Sequence, residues 1–282
     1  MNGSSTNRHT GSDPNRWDSA PADPGEAPVP LTAAVVLAAG RGRRFGRPKQ
    51  FERIGGVTLV DRVVTTAQAV CGYVILVLPT DYVAEHDGQD HPWGNASPHA
   101  VVRGGGSHGE SAWIGLQLVP ESVDIVVLAS ASHPLAGPNL FHRTIQAVAA
   151  GAHASAPLGL VADAVKRLDG GRVVGSIPKA DVALAQSPCA FDRATLVRAY
   201  ERFRAEKRPL PPEELEMIEQ LGGTIVLVEG EPTNIHVTTP LDLEIARRLL
   251  DLVPDAVTVG RPVSGSAKQA AAGRSEGAPN RP

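Results

Sequence analysis

Five cationic side chains, Arg41, Arg43, Arg44, Arg47 and Lys49, fall within nine consecutive residues. At that density they repel one another unless an anion lies among them. Gly40 and Gly42 carry no side chain and can take positive φ, so backbone N–H groups can turn inward around a phosphate. Ala38 and Ala39 are small enough to let a ligand approach the backbone. The stretch Leu37–Gln50 therefore reads as a loop that holds a nucleoside triphosphate. The bland alternative is a basic surface turn. Position favours the phosphate: the loop follows an apolar run, Ala33–Ala39, and ligands of open α/β sheets sit beyond the carboxyl ends of strands.

Two familiar phosphate loops are excluded. The glycines run Gly40-x-Gly42-x-x-x-Gly46, one residue longer than the dinucleotide fingerprint, and no acidic residue closes a following second strand. There is no Gly-Lys-Ser/Thr, so this is not a P-loop. The residue types suit one reaction in particular. A phosphate monoester is already an anion near neutral pH, its second pKa being about 6, so it attacks an α-phosphate without a general base. Such a site must bring two polyanions together and spread charge, which calls for Arg, Lys, backbone N–H groups and Mg2+ carried mainly by the nucleotide phosphates.

Other candidates weigh less. The nine histidines form no His-x-x-x-His or His-Glu-x-x-His pair; His86, His91, His108 and His133 read as solvated or structural rather than as zinc ligands. The two cysteines, Cys71 and Cys189, make neither a disulfide framework nor a CxxC pair. Ser130 and Ser132 lack a Gly-x-Ser-x-Gly setting. Glu213, Glu214 and Glu216 suit the first turn of a helix, and Arg247–Arg248 the last turn of another.

These residues need a scaffold. Continuous apolar runs at Ala33–Ala39, Tyr73–Pro79, Asp124–Ala129 and Thr224–Glu229, with a weaker one at His99–Arg103, predict strands buried on both faces. Helical patterns lie between them, at Val57–Val70, Glu110–Leu118, Pro138–Gly151, Asp192–Ala205, Pro212–Leu221 and Pro240–Leu250. Pro138 and Pro240 suit first turns, Asp192 a cap, and Gly151 and Gly222 helix ends. The alternation predicts an α/β fold: a Rossmann-like, mostly parallel twisted sheet with helices on both faces. Residues 154–188 break the rhythm and read as an inserted β-arm around Gly170–Gly171. Residues 1–31 and 254–282 are polar, Gly- and Pro-rich, and read as disordered tails around a domain at 32–253. The net charge of −3 argues against bulk nucleic-acid or membrane-surface binding. Without an apolar leader or a membrane-length run, the chain is expected to be cytoplasmic.

Leu-Ala-Ala-Gly-x-Gly-x-Arg-x-Gly-x-Pro-Lys-Gln resembles the opening of the 2-C-methyl-D-erythritol 4-phosphate cytidylyltransferases, enzymes of the non-mevalonate isoprenoid pathway. The resemblance continues through Gly104–Gly105, Ser111 and Gly115–Leu116, the arm residues Asp163, Lys166 and Arg167, Ser187–Pro188, and the close Asn234–Ile235–His236–Val237–Thr238 with Pro240–Leu243. It implies a nucleotide-diphospho-sugar transferase type of fold and transfer of CMP from CTP to the phosphorylated polyol, with release of pyrophosphate. It implies that Arg44 and Lys49 stabilise the transition state. Leu37, Ala38, Ala39, Gly40, Gly42, Gly104, Gly105 and Ser111 would hold the nucleotide. Lys179, Glu213 and His236 would meet the acceptor, and a homodimer would carry each arm into its partner's site.

The chain also departs from the family pattern. Where the family has His-Asp-Ala-Ala-Arg-Pro, the chain has Ala129–Ser130–Ala131–Ser132–His133–Pro134, so Ser130 replaces a carboxylate and His133 an arginine. Gly106 replaces the acidic residue that helps read cytosine, and His108 the arginine after it. Ala164 and Lys179 replace a Thr and an Arg of the arm, and Pro212–Glu213–Glu214 a Thr-Asp-Glu. His236 replaces a lysine and is cationic only when protonated. Two alternatives to the expected reaction stay open: a nucleotidyltransferase with another NTP or another polyol or sugar phosphate, and a catalytically silent nucleotide-binding relative.

Overall fold

A computed structural model describes residues 29–84, 93, 94 and 96–252. The tail expectations for 1–28 and 254–282, and His86 and His91, lie outside the described residues. The body begins at Leu31.

Seven strands form the central path. They are β1 (Thr32–Leu37), β4 (Tyr73–Leu78), β5 (Ala100–Arg103), β6 (Ile125–Ser130), β7 (Ala154–Gly159), β10 (Leu184–Ala185) and β11 (Cys189–Asp192), in the order β10-β7-β11-β6-β1-β4-β5. An eighth, β12 (Ile225–Glu229), runs parallel along β7. β1 lies parallel between β4 and β6, while β11 is antiparallel to both β6 and β7. The sheet is thus mostly parallel, as the alternating pattern predicts.

Period-two alternation divides the core. Ala34, Val36, Val74 and Leu76 face helices α1 (Leu59–Val70) and α4 (Pro138–Ala149). Ala33, Val35, Ile75 and Val77 face α3 (His108–Leu116), α5 (Arg193–Ala205) and α6 (Glu214–Gln220). Apolar residues on both faces of one strand are what a doubly covered sheet requires. A third cluster packs Phe45 of the cationic loop with Ile54, Leu59, Leu135, Val237 and α7 (Pro240–Leu249). That cluster anchors the loop to the closing segment of the body.

Helix ends follow local chemistry. The Thr58 side chain accepts the Asp61 N–H at the start of α1, so this helix opens at Leu59 instead of Val57. Val57–Thr58 (β3) pairs instead with Arg53–Ile54 (β2) in a small ribbon. Ser107 caps α3 by accepting the Glu110 N–H, which moves its start forward to His108. Thr239 and Asp242 form a capping box on α7, and Asp192 caps α5. Each such cap stabilises by about 1 kcal/mol. A short helix, α2 (Thr80–Ala84), follows β4.

The expected arm is narrower than 154–188. Ala154–Ala156 are buried, and β7, β10 and β11 all belong to the main sheet. Within this segment, the hairpin of β8 (Val165–Asp169) and β9 (Arg172–Ile177) forms a two-stranded sheet apart from the main one. The physical reason is burial: β7 fills the gap between β11 and β12, whereas β8 and β9 carry solvent-facing residues.

Candidate active site

Leu37 and Ser130 are register partners at the carboxyl ends of β1 and β6. From β1 the sheet extends to β4 and β5 on one side and to β6 on the other, so the strand order reverses here. A crevice at such a reversal is the expected ligand site of an open α/β sheet. A cleft of about 900 Å3 opens at this point. Its walls include Leu37, Ala39, Gly40, Arg41, Gly42 and Arg43 from the loop. Gly105–His108 and Ser111 form a second wall, Ser130, Ser132 and His133 a third, and Gln186, Ser187, Glu213, Glu214 and His236 close it.

The loop is held by its own backbone and by two buttresses. Gly42 has φ +63°, and its carbonyl accepts the N–H groups of Phe45 and Gly46 at 2.9 and 2.8 Å. A Cβ there would lie 1.8 Å from the Arg47 carbonyl oxygen. Gly40 lines the cleft and has open space where a Cβ would go. Buried Gln50 donates its side-chain amide to the Gly40 carbonyl at 3.0 Å, which ties the loop's end to its beginning. Lys49 Nζ donates to the Val237 carbonyl at 2.5 Å. Burial, then the Arg44 charge, lowers the Lys49 pKa to about 8.

The cations divide. Arg41 and Arg43 line the cleft. Arg47 turns to Glu52, its Nε donating at 2.5 Å, so its charge is locally answered. Arg44 is exposed and close enough to Lys49 and His236 to lower the pKa of both. Neither Arg44 nor Lys49 is among the residues that line the cleft.

The second wall is a tight turn. A Cβ on Gly104 would meet Ala39 Cβ at 2.4 Å, and one on Gly105 would meet Glu110 Cβ at 2.5 Å. The Ser111 hydroxyl donates to the Ser107 carbonyl at 2.8 Å and accepts the Gly105 N–H at 3.1 Å. In this geometry Ser111 supports the turn rather than offering a free donor. The Gly106 N–H is taken by Glu110 Oε2 at 2.7 Å.

Two pairings escaped the sequence. His108 Nε2 lies 3.3 Å from Glu214 Oε2, and Tyr200 Oη donates to Glu214 Oε1 at 2.8 Å. Burial depresses the His108 pKa, but Glu214 and then Glu213 outweigh it, so the net shift is upward. Burial, then Glu214, raises the Glu213 pKa. The other pairing is His133 with His236, whose rings stack at 4.7 Å between centroids. No signal in the sequence joins residues so far apart. Gln186 and Ser187 were also missed as cleft residues: Ser187 Oγ accepts the Ser130 N–H at 2.8 Å, and Gln186 bonds Glu231 and Asn234.

Of the expected acceptor residues, Glu213 and His236 line the cleft and Lys179 does not. Lys179 is exposed and donates to the Ala162 carbonyl at 2.5 Å. Among the described residues no group of three or more His, Cys, Asp or Glu side chains converges as a metal site. The Ser130 hydroxyl accepts the Ser132 N–H at 3.2 Å. The protein side chains here do not make a carboxylate cage for a cation. Among the described residues, no helix is long and apolar enough to cross a membrane.

A doubly wound sheet with a glycine-rich cationic loop at its reversal point defines a nucleotidyltransferase. More specifically, a sequence model of the family "2-C-methyl-D-erythritol 4-phosphate cytidylyltransferase" matches residues 32–251, and the chain belongs to that family. A Corynebacterium efficiens protein of that name is 35% identical over 231 residues, covering 77% of this chain and 92% of its own. A Streptomyces avermitilis protein of the same name is 34% identical, covering 78% and 91%. The fold matches the crystal structure of a 4-diphosphocytidyl-2C-methyl-D-erythritol synthase from Anaerococcus prevotii with a TM-score of 0.68 at 23% identity, covering 79% of this chain and 99% of that one. It also matches a 2-C-methyl-D-erythritol 4-phosphate cytidylyltransferase from Thermus thermophilus with a TM-score of 0.64 at 24% identity, covering 78% and 99%.

Proposed function

We propose that this chain transfers CMP from CTP to 2-C-methyl-D-erythritol 4-phosphate and releases pyrophosphate. The observation that carries this reading is the cleft at the Leu37–Ser130 register pair, with the Gly40–Arg43 backbone on its wall. An acceptor phosphate oxygen attacks the α-phosphorus of CTP. The bond from that phosphorus to the bridging oxygen breaks, and pyrophosphate leaves with the electron pair. No proton need be removed from the nucleophile, which is already anionic.

The side chains then serve to hold charge. Arg41 and Arg43 meet the triphosphate with the loop N–H groups of Gly40 and Gly42. Arg44 and Lys49 close on the α-phosphate as charge builds there, an effect worth about 10²–10³ in rate for one well-placed donor. Leu37 and Ala39 give the nucleotide an apolar floor, while Ala38 is buried in the core behind it, and the Gly104–Gly105 turn, braced by Ser111, flanks the nucleoside. The Glu213 carboxylate accepts polyol hydroxyls, and His236 faces the acceptor phosphate. Mg2+ would ride on the nucleotide's own phosphate oxygens, since Ser130 brings no carboxylate to it.

Lys179 stands outside the cleft of its own chain, so its expected acceptor role calls for another subunit's site. The hairpin region carries exposed Leu160, Leu168, Val173 and Val174, which suit burial against a second copy. We therefore propose a homodimer that exchanges its arms, with light scattering as the check, and a cytoplasmic location, checked by cell fractionation.

The test is pyrophosphate release, measured with a panel of nucleoside triphosphates against a panel of acceptor phosphates. CTP with the methylerythritol phosphate should give the highest kcat/KM. A different acceptor is the second reading, favoured because His133 and His236 stand where fixed cations are expected. A higher kcat/KM for another pair would select it. Nucleotide binding without turnover of any pair would leave a silent relative.

A further inference from the structure

We infer that the stacked His133–His236 pair takes up one proton when a polyphosphate enters the cleft, and so sets the pH at which this wall holds an anion. This rests on reading the cleft as a phosphate site.

Both rings line the cleft, with centroids 4.7 Å apart and planes at 21°. Stacked imidazoles carry their nitrogens on the ring edges, so neither ring bonds the other. His133 Nδ1 is buried and has no hydrogen-bond partner. The charged groups that face His236 come from two elements: Lys49 and Arg44 from the loop, and Asp242 from the first turn of α7. Burial, then Lys49, then Arg44, lowers the His236 pKa, and Asp242 opposes this only in part. Burial holds His133 lower still, at about 3. The wall is therefore uncharged near neutral pH when the cleft is empty.

A bound polyphosphate reverses the balance. Its negative charge answers Lys49 and Arg44 and favours the imidazolium form of His236. Only one proton enters, because two cationic rings stacked at 4.7 Å would repel, and deeply buried His133 stays neutral. The sign follows. Bound-state pKa is raised, so the gain in affinity is fully present below the free-state pKa of His236. It is lost as pH rises through the bound-state pKa, by up to about tenfold per pH unit between the two.

The test is calorimetric titration of the full chain with pyrophosphate and with CTP at pH 7, in buffers of different ionisation enthalpy. The proton count comes from the slope of heat against that enthalpy. Wild type should take up at least half a proton more than His236→Gln, on the order of one proton at most from a single site. Protons from the ligand and from Lys49 cancel in that difference. Lys49 adds little in any case, being mostly charged at pH 7 with a pKa of about 8. His236→Lys should bind without the extra uptake and with a flatter pH dependence. Histidine proton shifts of wild type, read with and without pyrophosphate, give the same answer without a mutation: one ring should move to its imidazolium position. Binding with equal uptake in wild type and His236→Gln, and no ring shift, overturns the inference while leaving the phosphate site. Failure of wild type to bind either ligand overturns both.

Discussion

Replacing Gly42 by alanine should abolish most activity while leaving the protein folded. The added Cβ would lie 1.8 Å from the Arg47 carbonyl oxygen and 2.7 Å from its carbonyl carbon. Real Cβ atoms essentially never approach closer than 3.0 Å, so that segment must move by about an ångström. The φ of +63° adds left-handed strain of roughly 1–2 kcal/mol for a residue with a side chain. Buried Phe45 fixes the loop to the α7 cluster, so the displacement falls on Arg43, Arg44 and Arg47. A misplacement of that size in a site that works by positioning costs about 10²-fold in rate. The strain alone lowers Tm by about 2–8 °C for a body of this size. Gly40→Ala is the control: open space surrounds its Cβ, so Tm should hold. Gly40 lines the cleft, so the added methyl group should raise KM for the nucleotide. The assays are pyrophosphate release and thermal unfolding of both variants. Wild-type kcat in Gly42→Ala would refute the view that the backbone path of this loop sets the geometry of the chemistry.

Lys49→Ala and Arg44→Ala should each lower kcat/KM by at least about 10²-fold, read by the same pyrophosphate assay. In wild type, kcat/KM should fall as pH rises through about 8, where free Lys49 loses its proton, and Lys49→Arg should remove that fall. The stability sign is opposite: a lysine held below its unfolded pKa binds more protons unfolded, so its contribution grows as pH rises from about 8 towards about 10.4. Tyr200→Phe removes the hydroxyl that donates to buried Glu214 and should destabilise by about 1.5–3 kcal/mol, read by denaturant unfolding.

What could be read in advance divides by sequence distance. The cationic loop was legible because its glycines and charges are contiguous, and so were the strands β1, β4 and β6, whose apolar runs are unbroken. Strand β11 was missed: Cys189–Asp192 is four residues long and follows Pro188, too short for any periodicity. The arm was drawn too wide because β7 ends in Pro157, Leu158 and Gly159, which resemble a loop. The role of Ser111 as a brace for Gly105 was out of reach, since residue type says nothing about which way a hydroxyl is engaged. The His108–Glu214–Tyr200 contacts cross from α3 to α6 and α5, and only packing creates them.

These long-range contacts change how the departures from the family pattern should be understood. Taken one at a time, His133, His236, His108 and Ser130 look like independent losses of charge. In the folded chain they are not independent. His133 stacks on His236, so two lost cations meet in one wall. His108 reaches Glu214, the residue that keeps the Glu of the family's Thr-Asp-Glu. The Ser130 N–H is satisfied by Ser187, the residue that stands in the family's Thr position. Random loss in a decaying site leaves orphaned partners, and the Nδ1 of His133 is one such atom. His108 has the Glu214 carboxylate to answer it, whereas the bond to Ser187 is made by the Ser130 backbone N–H and does not depend on the side chain at 130. The walls of the cleft thus keep hydrogen-bonded polar groups at His108, Glu214, Ser130 and Ser187 while their charge differs from the family pattern, and polar groups that are satisfied in this way hold one geometry.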